Sequence, residues 1–352
     1  MTKKRPQRHN ASMKILVTGA AGFIGSSFIR KLLSLDHSVV ILDKLTYAGH
    51  TANFEDVLDK ERCIFEQGDI ADREFVSELF KKYAFDAVAN FAAESHVDNS
   101  ISSPGEFIQT NIVGTFTLLE ASRHYWMNLP EEKKKNFRFL QVSTDEVYGT
   151  LGDEGKFHEE LAYQPNSPYS ASKAGGDHLV RAWFHTYGLP TVTTNCSNNY
   201  GPRQFPEKLI PLMITNALSG KNLPVYGNGG NVRDWIHVDD HSHGVYLALT
   251  KGKPGETYCF GGNSERKNLD VVKAICNELD QIRPRTDGKS YAELITFVTD
   301  RAGHDWRYAI DDSKAQRELG FERSYKNFEA GLKDTIQWYL ANSAWAEKVL
   351  KK

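Results

Sequence analysis

Thr18-Gly19-Ala20-Ala21-Gly22-Phe23-Ile24-Gly25 decides the fold. An apolar, β-branched run over 14–19 leads into this stretch, and the helical pattern FIGSSFIRKLLSL leaves it. Glycines at this spacing, between a strand and a helix, allow a tight turn. They also let backbone N–H groups approach a pyrophosphate at the positive helix end. Asp43 closes the next apolar run, SVVILD over 38–43. A carboxylate there accepts hydrogen bonds from an adenosine ribose and repels a 2′-phosphate, which favours NAD over NADP, although neighbouring Lys44 weakens the discrimination.

Outward from this unit, strand-like runs recur at 63–69, 86–93 and 137–143, separated by helical stretches at about 72–83, 105–126 and 170–187. Strand then helix, repeated, predicts a parallel sheet covered on both faces. The carboxyl ends of such strands face the cofactor crevice. Asp69 then sits near the adenine, and the small pair Ala92-Ala93 lets the cofactor pass closely. PTVTTNCSNNYGP over 190–202 reads as one more strand ending in turn formers. After residue 200 the alternation stops. Helices are expected at about 208–219, 239–250, 268–281 and 326–341, and short strands near 224–226, 256–260 and 295–299. The predicted fold class is α/β, a Rossmann-type doubly wound parallel sheet with a smaller C-terminal α/β lobe. The expected division is a flexible tail over 1–12, a cofactor domain over 13–200, and a lobe over 201–352 interleaved with it.

The 352 residues carry 43 Lys and Arg against 45 Asp and Glu, a net charge of −2. Such a balance gives no footprint for nucleic acid or a membrane surface. No run approaches the roughly 18 apolar residues of a membrane span. The N-terminus lacks the apolar stretch of a signal peptide. Cys63, Cys196, Cys259 and Cys276 lie far apart and suggest buried thiols in a reducing cytoplasm. His237, His241 and His243 do not share one helical face, so no metal site is expected.

The chemistry lies further along the chain. Tyr169-Ser170-Ala171-Ser172-Lys173 places Tyr and Lys on one helical face. A nearby ammonium favours the phenolate, which points to Tyr169 as a base near neutral pH. Thr144 ends an apolar strand and offers a hydroxyl to the crevice. Asp145 and Glu146 follow it at once. Hydride transfer at an alcohol needs Tyr, Lys and a hydroxyl; an elimination also needs a base and an acid. An acidic Asp145 requires a raised pKa, from burial or from Glu146.

The Tyr/Lys pair resembles that of the extended, nucleotide-sugar branch of the short-chain dehydrogenase/reductases. TGAAGFIG, DKLTYAG (43–49), GDI (68–70), AAESHVD (92–98), STDEVYG (143–149), YSASK (169–173), NCSNNYGP (195–202), FPEKLIP (205–211), NVRDWIHVDDH (231–241) and AGHDWRYAID (302–311) run in order through the chain. Together they resemble the dTDP-glucose 4,6-dehydratases, over about 13–340. The resemblance implies a hydro-lyase that retains NAD. Tyr169 takes the sugar 4-hydroxyl proton as hydride leaves C4, Thr144 holds that oxygen, and Lys173 tunes Tyr169 and holds the ribose. Glu146 removes the C5 proton, Asp145 protonates the departing C6 hydroxyl, and hydride returns to C6. Deoxysugar biosynthesis, such as that of dTDP-rhamnose, is the implied setting.

The same resemblance assigns cofactor contacts to Gly19, Gly22, Phe23, Ile24, Gly25, Asp43, Lys44, Leu45, Thr46, Asp69 and Ile70. It adds Phe91, Ala92, Ala93, Glu94, Thr110, Tyr169, Lys173 and Asn199. Substrate contacts fall on Ser95, Thr144, Asn198, Lys208, Leu209, Pro224, Val225, Tyr226, Arg233, Asn268, Asp300, Arg301 and His304. It implies a homodimer packed through the helices near 105–126 and 170–187. The chain departs from the usual pattern at Asn90-Phe91, Asn99, Ala302 (usually Pro) and Trp306 (usually Arg). Other readings are a dehydratase of UDP or CDP sugars, a 4-epimerase or decarboxylase, or a non-catalytic NAD-binding regulator.

Overall fold

A computed structural model describes residues 12–300 and 304–351. Residues 1–11 of the expected 1–12 tail, together with Arg301 and Ala302, lie outside the described residues. The first half alternates as expected: β1 (Lys14–Thr18), α1 (Phe23–Ser34), β2 (Ser38–Asp43), β3 (Cys63–Gln67), α2 (Arg73–Lys82) and β4 (Ala87–Asn90). Three helices follow: α3 (Val97–Ser102), α4 (Pro104–Phe107) and, after a π-helical segment over Ile108–Gly114, α5 (Thr115–Met127). Then come α6 (Glu131–Asn136), β5 (Arg138–Thr144), α7 (Pro168–Tyr187), β6 (Thr191–Cys196) and β7 (Asn198–Tyr200).

The second half holds α8 (Leu209–Leu218), β8 (Leu223–Tyr226), β9 (Val232–His237), α9 (Val238–Lys251), β10 (Thr257–Phe260) and β11 (Glu265–Lys267). It ends with α10 (Asn268–Ile282), β12 (Ile295–Val298), α11 (Ser313–Leu319), α12 (Phe328–Ala341) and α13 (Ser343–Leu350). Among the described residues no helix is long and apolar enough to cross a membrane.

Seven strands form one parallel sheet in the order β10-β6-β5-β4-β1-β2-β3. Alternate side chains serve opposite faces. Ile15, Val17, Val39 and Ile41 pack with Phe28 and Leu32 of α1 and Val245 and Leu249 of α9. Leu16, Val40, Leu42 and Val88 pack with Leu79 of α2, Leu118 of α5 and Val180 of α7. Both faces are covered, which explains the near-continuous apolar runs in the sequence.

Two features depart from the expected outline. The 190–202 stretch is not one strand: β6 stays in the main sheet, while β7 leaves it to pair with β9 in a three-stranded sheet with β11. The chain then returns, because β10 pairs with β6 and makes the sheet's edge. The interleaving is therefore carried by α9 and β10. The lobe beyond has its own core, in which α8, α10 and α12 pack around the parallel pair β8–β12. The expected helix over 105–126 contains the π-helical turn, a form often found at functional sites. Asn111 braces this turn, donating from Nδ2 to the Glu94 carbonyl at 3.0 Å and accepting the Glu94 N–H at 2.9 Å.

Candidate active site

The β1–α1 turn fits closely against its neighbours. Gly19 has φ +68°, and a Cβ there would lie 2.5 Å from the Ala92 nitrogen. A Cβ on Gly25 would lie 2.5 Å from the Gly19 oxygen. Gly22 caps α1 without a side chain, so the first-turn N–H groups of the helix stay open to the cleft. Asp43 braces this turn, accepting from the Ala21 and Leu45 N–H groups at 3.0 and 2.8 Å. The cradle thus fits a dinucleotide pyrophosphate, with backbone where the anion passes.

From this cradle a cleft of about 370 Å³ runs to the ends of β4, β5 and β6. That is a volume typical of small-molecule sites. Except for Leu45, every residue predicted to contact the cofactor lines it, from Gly19 and Asp43 through Asp69, Ala92 and Thr110 to Lys173 and Asn199. Leu45 sits beside it with φ +59°. Lys44 reaches Asp69 at 3.4 Å and Thr110 at 3.3 Å across the adenine end. Ser95, Thr144, Asn198, Lys208 and Leu209 also line the cleft.

At its far end stand Thr144, Tyr169 and Lys173. A capping box at Ser167 and Pro168 at the first helical position start α7, which carries Tyr169 and Lys173 into the cleft. Thr144 ends β5 and caps the short turn Asp145–Tyr148, its Oγ1 accepting from the Glu146 N–H at 3.3 Å. Its hydroxyl reaches Asp145 Oδ1 at 3.4 Å and also faces Tyr169.

Asp145 and Glu146 stand just behind this end of the cleft. Asp145 is 2 % exposed, and its Oδ2 has no hydrogen-bond partner. Burial, then the charges of Glu146 and Asp234, push its pKa well above the usual carboxylate range, against the opposing pull of Arg233. The direction of that shift is the one an acid requires.

Tyr169 behaves differently from expectation. Burial and the Glu146 charge push its phenol well above the ordinary value. The Lys173 ammonium donates to the Val142 carbonyl at 2.7 Å, and burial lowers its own pKa. The Tyr–Lys spacing alone does not bring Tyr169 near neutrality in this structure.

The remaining predicted residues, Arg301 aside, gather in the lobe, outside the cleft. Arg233 on β9 lies with its guanidinium 4.2 Å from the Tyr308 ring centre and donates to the carbonyls of Val232 and Asp305 at 2.8 and 2.9 Å. Its effect on Asp145 joins this group to the chemical end. Tyr226 meets the His304 ring, which pairs with Asp300 at 2.7 Å. Asn268 starts α10 with a buried, unpartnered Oδ1. Pro224 lies beside them on β8, but Val225 points into the lobe core at 2 % exposure.

Three contributors escaped the sequence reading. Asn111 donates to Ser172 on α7 at 2.8 Å as well as bracing Glu94. His241 is fully buried, kept neutral with a pKa lowered to about 3, and its Nδ1 meets Asn199 Oδ1 at 3.0 Å. Asp177 follows Lys173 by one helical turn, a spacing that was available in the sequence. Among the described residues no group of three or more His, Cys, Asp or Glu could hold a metal ion.

The GDP-mannose 4,6 dehydratase family model matches residues 16–335. A dTDP-glucose 4,6-dehydratase of Xanthomonas campestris pv. campestris is 59% identical over 335 residues, covering 95% of each chain. One of Shigella flexneri is 57% identical over 347 residues, covering 96% of this chain and 95% of its own. A solved Streptomyces venezuelae dTDP-glucose 4,6-dehydratase with NAD and TYD bound superposes with a TM-score of 0.86. It is 43% identical and covers 96% of this chain and 100% of its own.

Proposed function

Because the chain belongs to the GDP-mannose 4,6 dehydratase family, with dTDP-glucose 4,6-dehydratases as near relatives, we propose that it is an NAD-dependent hydro-lyase acting on dTDP-glucose. The product is dTDP-4-dehydro-6-deoxyglucose, and water is released. NAD held in the Gly19–Gly25 cradle supplies the hydride acceptor at C4 and, later, the hydride for C6.

The chain's own groups move the protons. Tyr169 accepts the C4 hydroxyl proton while Thr144 holds that oxygen. Burial raises the Tyr169 pKa; the positive charges of a Lys173 ammonium and of a nicotinamide, once bound, would oppose it. Once C4 is a ketone, its α-carbon C5 is acidic, and Glu146 removes the C5 proton. Asp145, whose pKa burial and Glu146 raise, gives a proton to the departing C6 hydroxyl. Glu146 then returns its proton to C5. Arg233, Asn268, Tyr226 and His304 form the wall toward the nucleotide diphosphate, with Lys208 and Asn198 nearer the sugar.

The observation that carries this reading is the buried Asp145, its pKa raised by burial and by adjoining Glu146, at the Thr144 end of the cleft. An epimerisation at C4 uses Thr144, Tyr169 and Lys173 and has no task for that pair. The test is incubation with dTDP-glucose and mass analysis of the sugar nucleotide. A species lighter by one water, formed without added NAD, is expected. A product of unchanged mass would overturn the assignment in favour of epimerisation.

The same reading places the enzyme in the cytoplasm, where its four cysteines, all buried and unpaired, stay reduced. It also pairs two copies through the outer faces of the 104–127 segment and α7, where Ile108, Met127 and Tyr187 are exposed. Sedimentation at the mass of a dimer is the expected result.

A further inference from the structure

We propose that Asp177 is the buried counter-charge that holds the Lys173 ammonium in its charged, site-facing state, a positioning role that rests on the reading of Lys173 given above. Tyr169, Lys173 and Asp177 recur one turn apart on α7 and so share a face. All three are buried, at 8, 4 and 4 % exposure. Asp177 Oδ2 accepts from Ser143 Oγ at 2.5 Å and from the Tyr163 hydroxyl at 3.3 Å. Its Oδ1 is equally buried and has no hydrogen-bond partner. A carboxylate half-satisfied in the interior needs an opposite charge nearby. Lys173 is the cation that acts on it.

The dependence runs both ways. Lys173 is an ammonium with three donors in a buried site, and it donates to the Val142 carbonyl at 2.7 Å. Burial drives it toward the neutral amine, and Asp177 opposes this most strongly, ahead of Cys196. The groups facing Asp177 are Ser143 from β5, Tyr163 from the 151–167 loop and Lys173 from its own helix. Burial pushes Asp177 up to about 6 against the pull of those three, so it is charged at pH 7–8. Ser143 also ties Asp177 to the strand that ends at Thr144, fixing the helix register beside the cleft. Tyr169 thus depends on a carboxylate two turns away that never touches substrate.

The test is Asp177→Asn, which keeps the shape and removes the charge. Lys173 should then lose its proton at lower pH, moving the alkaline limb of kcat down by about one pH unit. KM should stay within about twofold at the pH optimum, and Asp177→Glu should restore most of the limb. A uniform loss of kcat at every pH, with the limb unmoved, would overturn the proposal and leave a structural role only.

A second readout needs neither turnover nor a folded Asp177 variant. The Lys173 side-chain carbon resonance, assigned by its loss in Lys173→Arg, should report a charged ammonium at pH 7.5 in the wild-type protein. Finding Lys173 neutral at pH 7.5 would overturn the counter-charge. Failure of the dehydratase reading would appear separately, as an absence of the dehydrated product.

Discussion

The cradle and the chemical end of the cleft both lie at the carboxyl ends of the main sheet's strands, yet they are built from opposite materials. At the cradle, side chains are removed: Gly19 and Gly25 leave no space for a Cβ, and recognition falls to backbone N–H groups. At the chemical end side chains are crowded in, and Thr144, Asp145, Tyr169 and Lys173 are each less than a tenth exposed. The first arrangement is fixed by chain geometry. The second depends on charges held against their preference for water. Damage to the cradle should therefore cost structure and cofactor together. Damage at the chemical end should cost activity while relieving the fold.

Gly19→Ala tests the first half and should have the largest effect. The new Cβ would meet the backbone of Phe91 and Ala92 within 2.7 Å, at a φ of +68°. No rotamer change relieves backbone overlap, so about 4 kcal/mol or more of stability should be lost. Purified protein should also contain no NAD. Full NAD content at an unchanged Tm would break the comparison at its root.

Asp145→Asn tests the other half. As the acid of the elimination, Asp145 should contribute about 10²- to 10⁴-fold to kcat. Its stability effect should run the opposite way. The folded pKa lies above the unfolded one. The group's favourable contribution is complete below the unfolded pKa and is lost as pH rises through the folded value. At pH 8 the wild type carries that penalty and the Asn variant does not, so the variant should melt higher. Near pH 4 the gap should close. A variant less stable at pH 8 than the wild type, with no pH trend, would show that Asp145 is structurally satisfied.

The same contrast sets what could be read from the sequence. The cradle was legible because a turn that excludes side chains must be written in glycine, and strands covered on both faces must be written as apolar runs. Tyr169 and Lys173 were legible through helical spacing. The raised pKa of Asp145 was legible only in part: adjoining Glu146 could be read, but burial, the largest cause, and Asp234 on β9, far along the chain, could not. Lys173 was expected to ease Tyr169 toward neutrality, yet desolvation by several elements outweighs one neighbour. The return of α9 and β10 to the main sheet was hidden for a related reason. TYCF over 257–260 is too short to show which sheet it joins, and its pairing with β6 is a long-range choice. Asn111 lies in no motif, and His241 closes the 231–241 block without any sign of its role, since their importance lies in the partners the fold brings to them.

Trp306 marks the weak end of the comparison, where neither backbone clash nor burial constrains the side chain. Its side chain is 46 % exposed and leans against Gly230. What anchors this position is main chain: the Trp306 N–H donates to Thr150 Oγ1 at 3.0 Å, and its carbonyl accepts from the Val232 N–H at 2.9 Å. Trp306→Arg keeps both bonds, so stability should change by no more than about 0.5 kcal/mol. An exposed guanidinium near a diphosphate is worth up to about 1 kcal/mol, which is about fivefold in KM. The gain should shrink with added salt, because exposed charges are screened. kcat should stay unchanged, since the proton-moving groups lie on β5 and α7. A tenfold fall in kcat would instead show that this exposed ring helps to align the sugar, extending the chemical end of the cleft further into the lobe than Asp145 and Arg233 now place it.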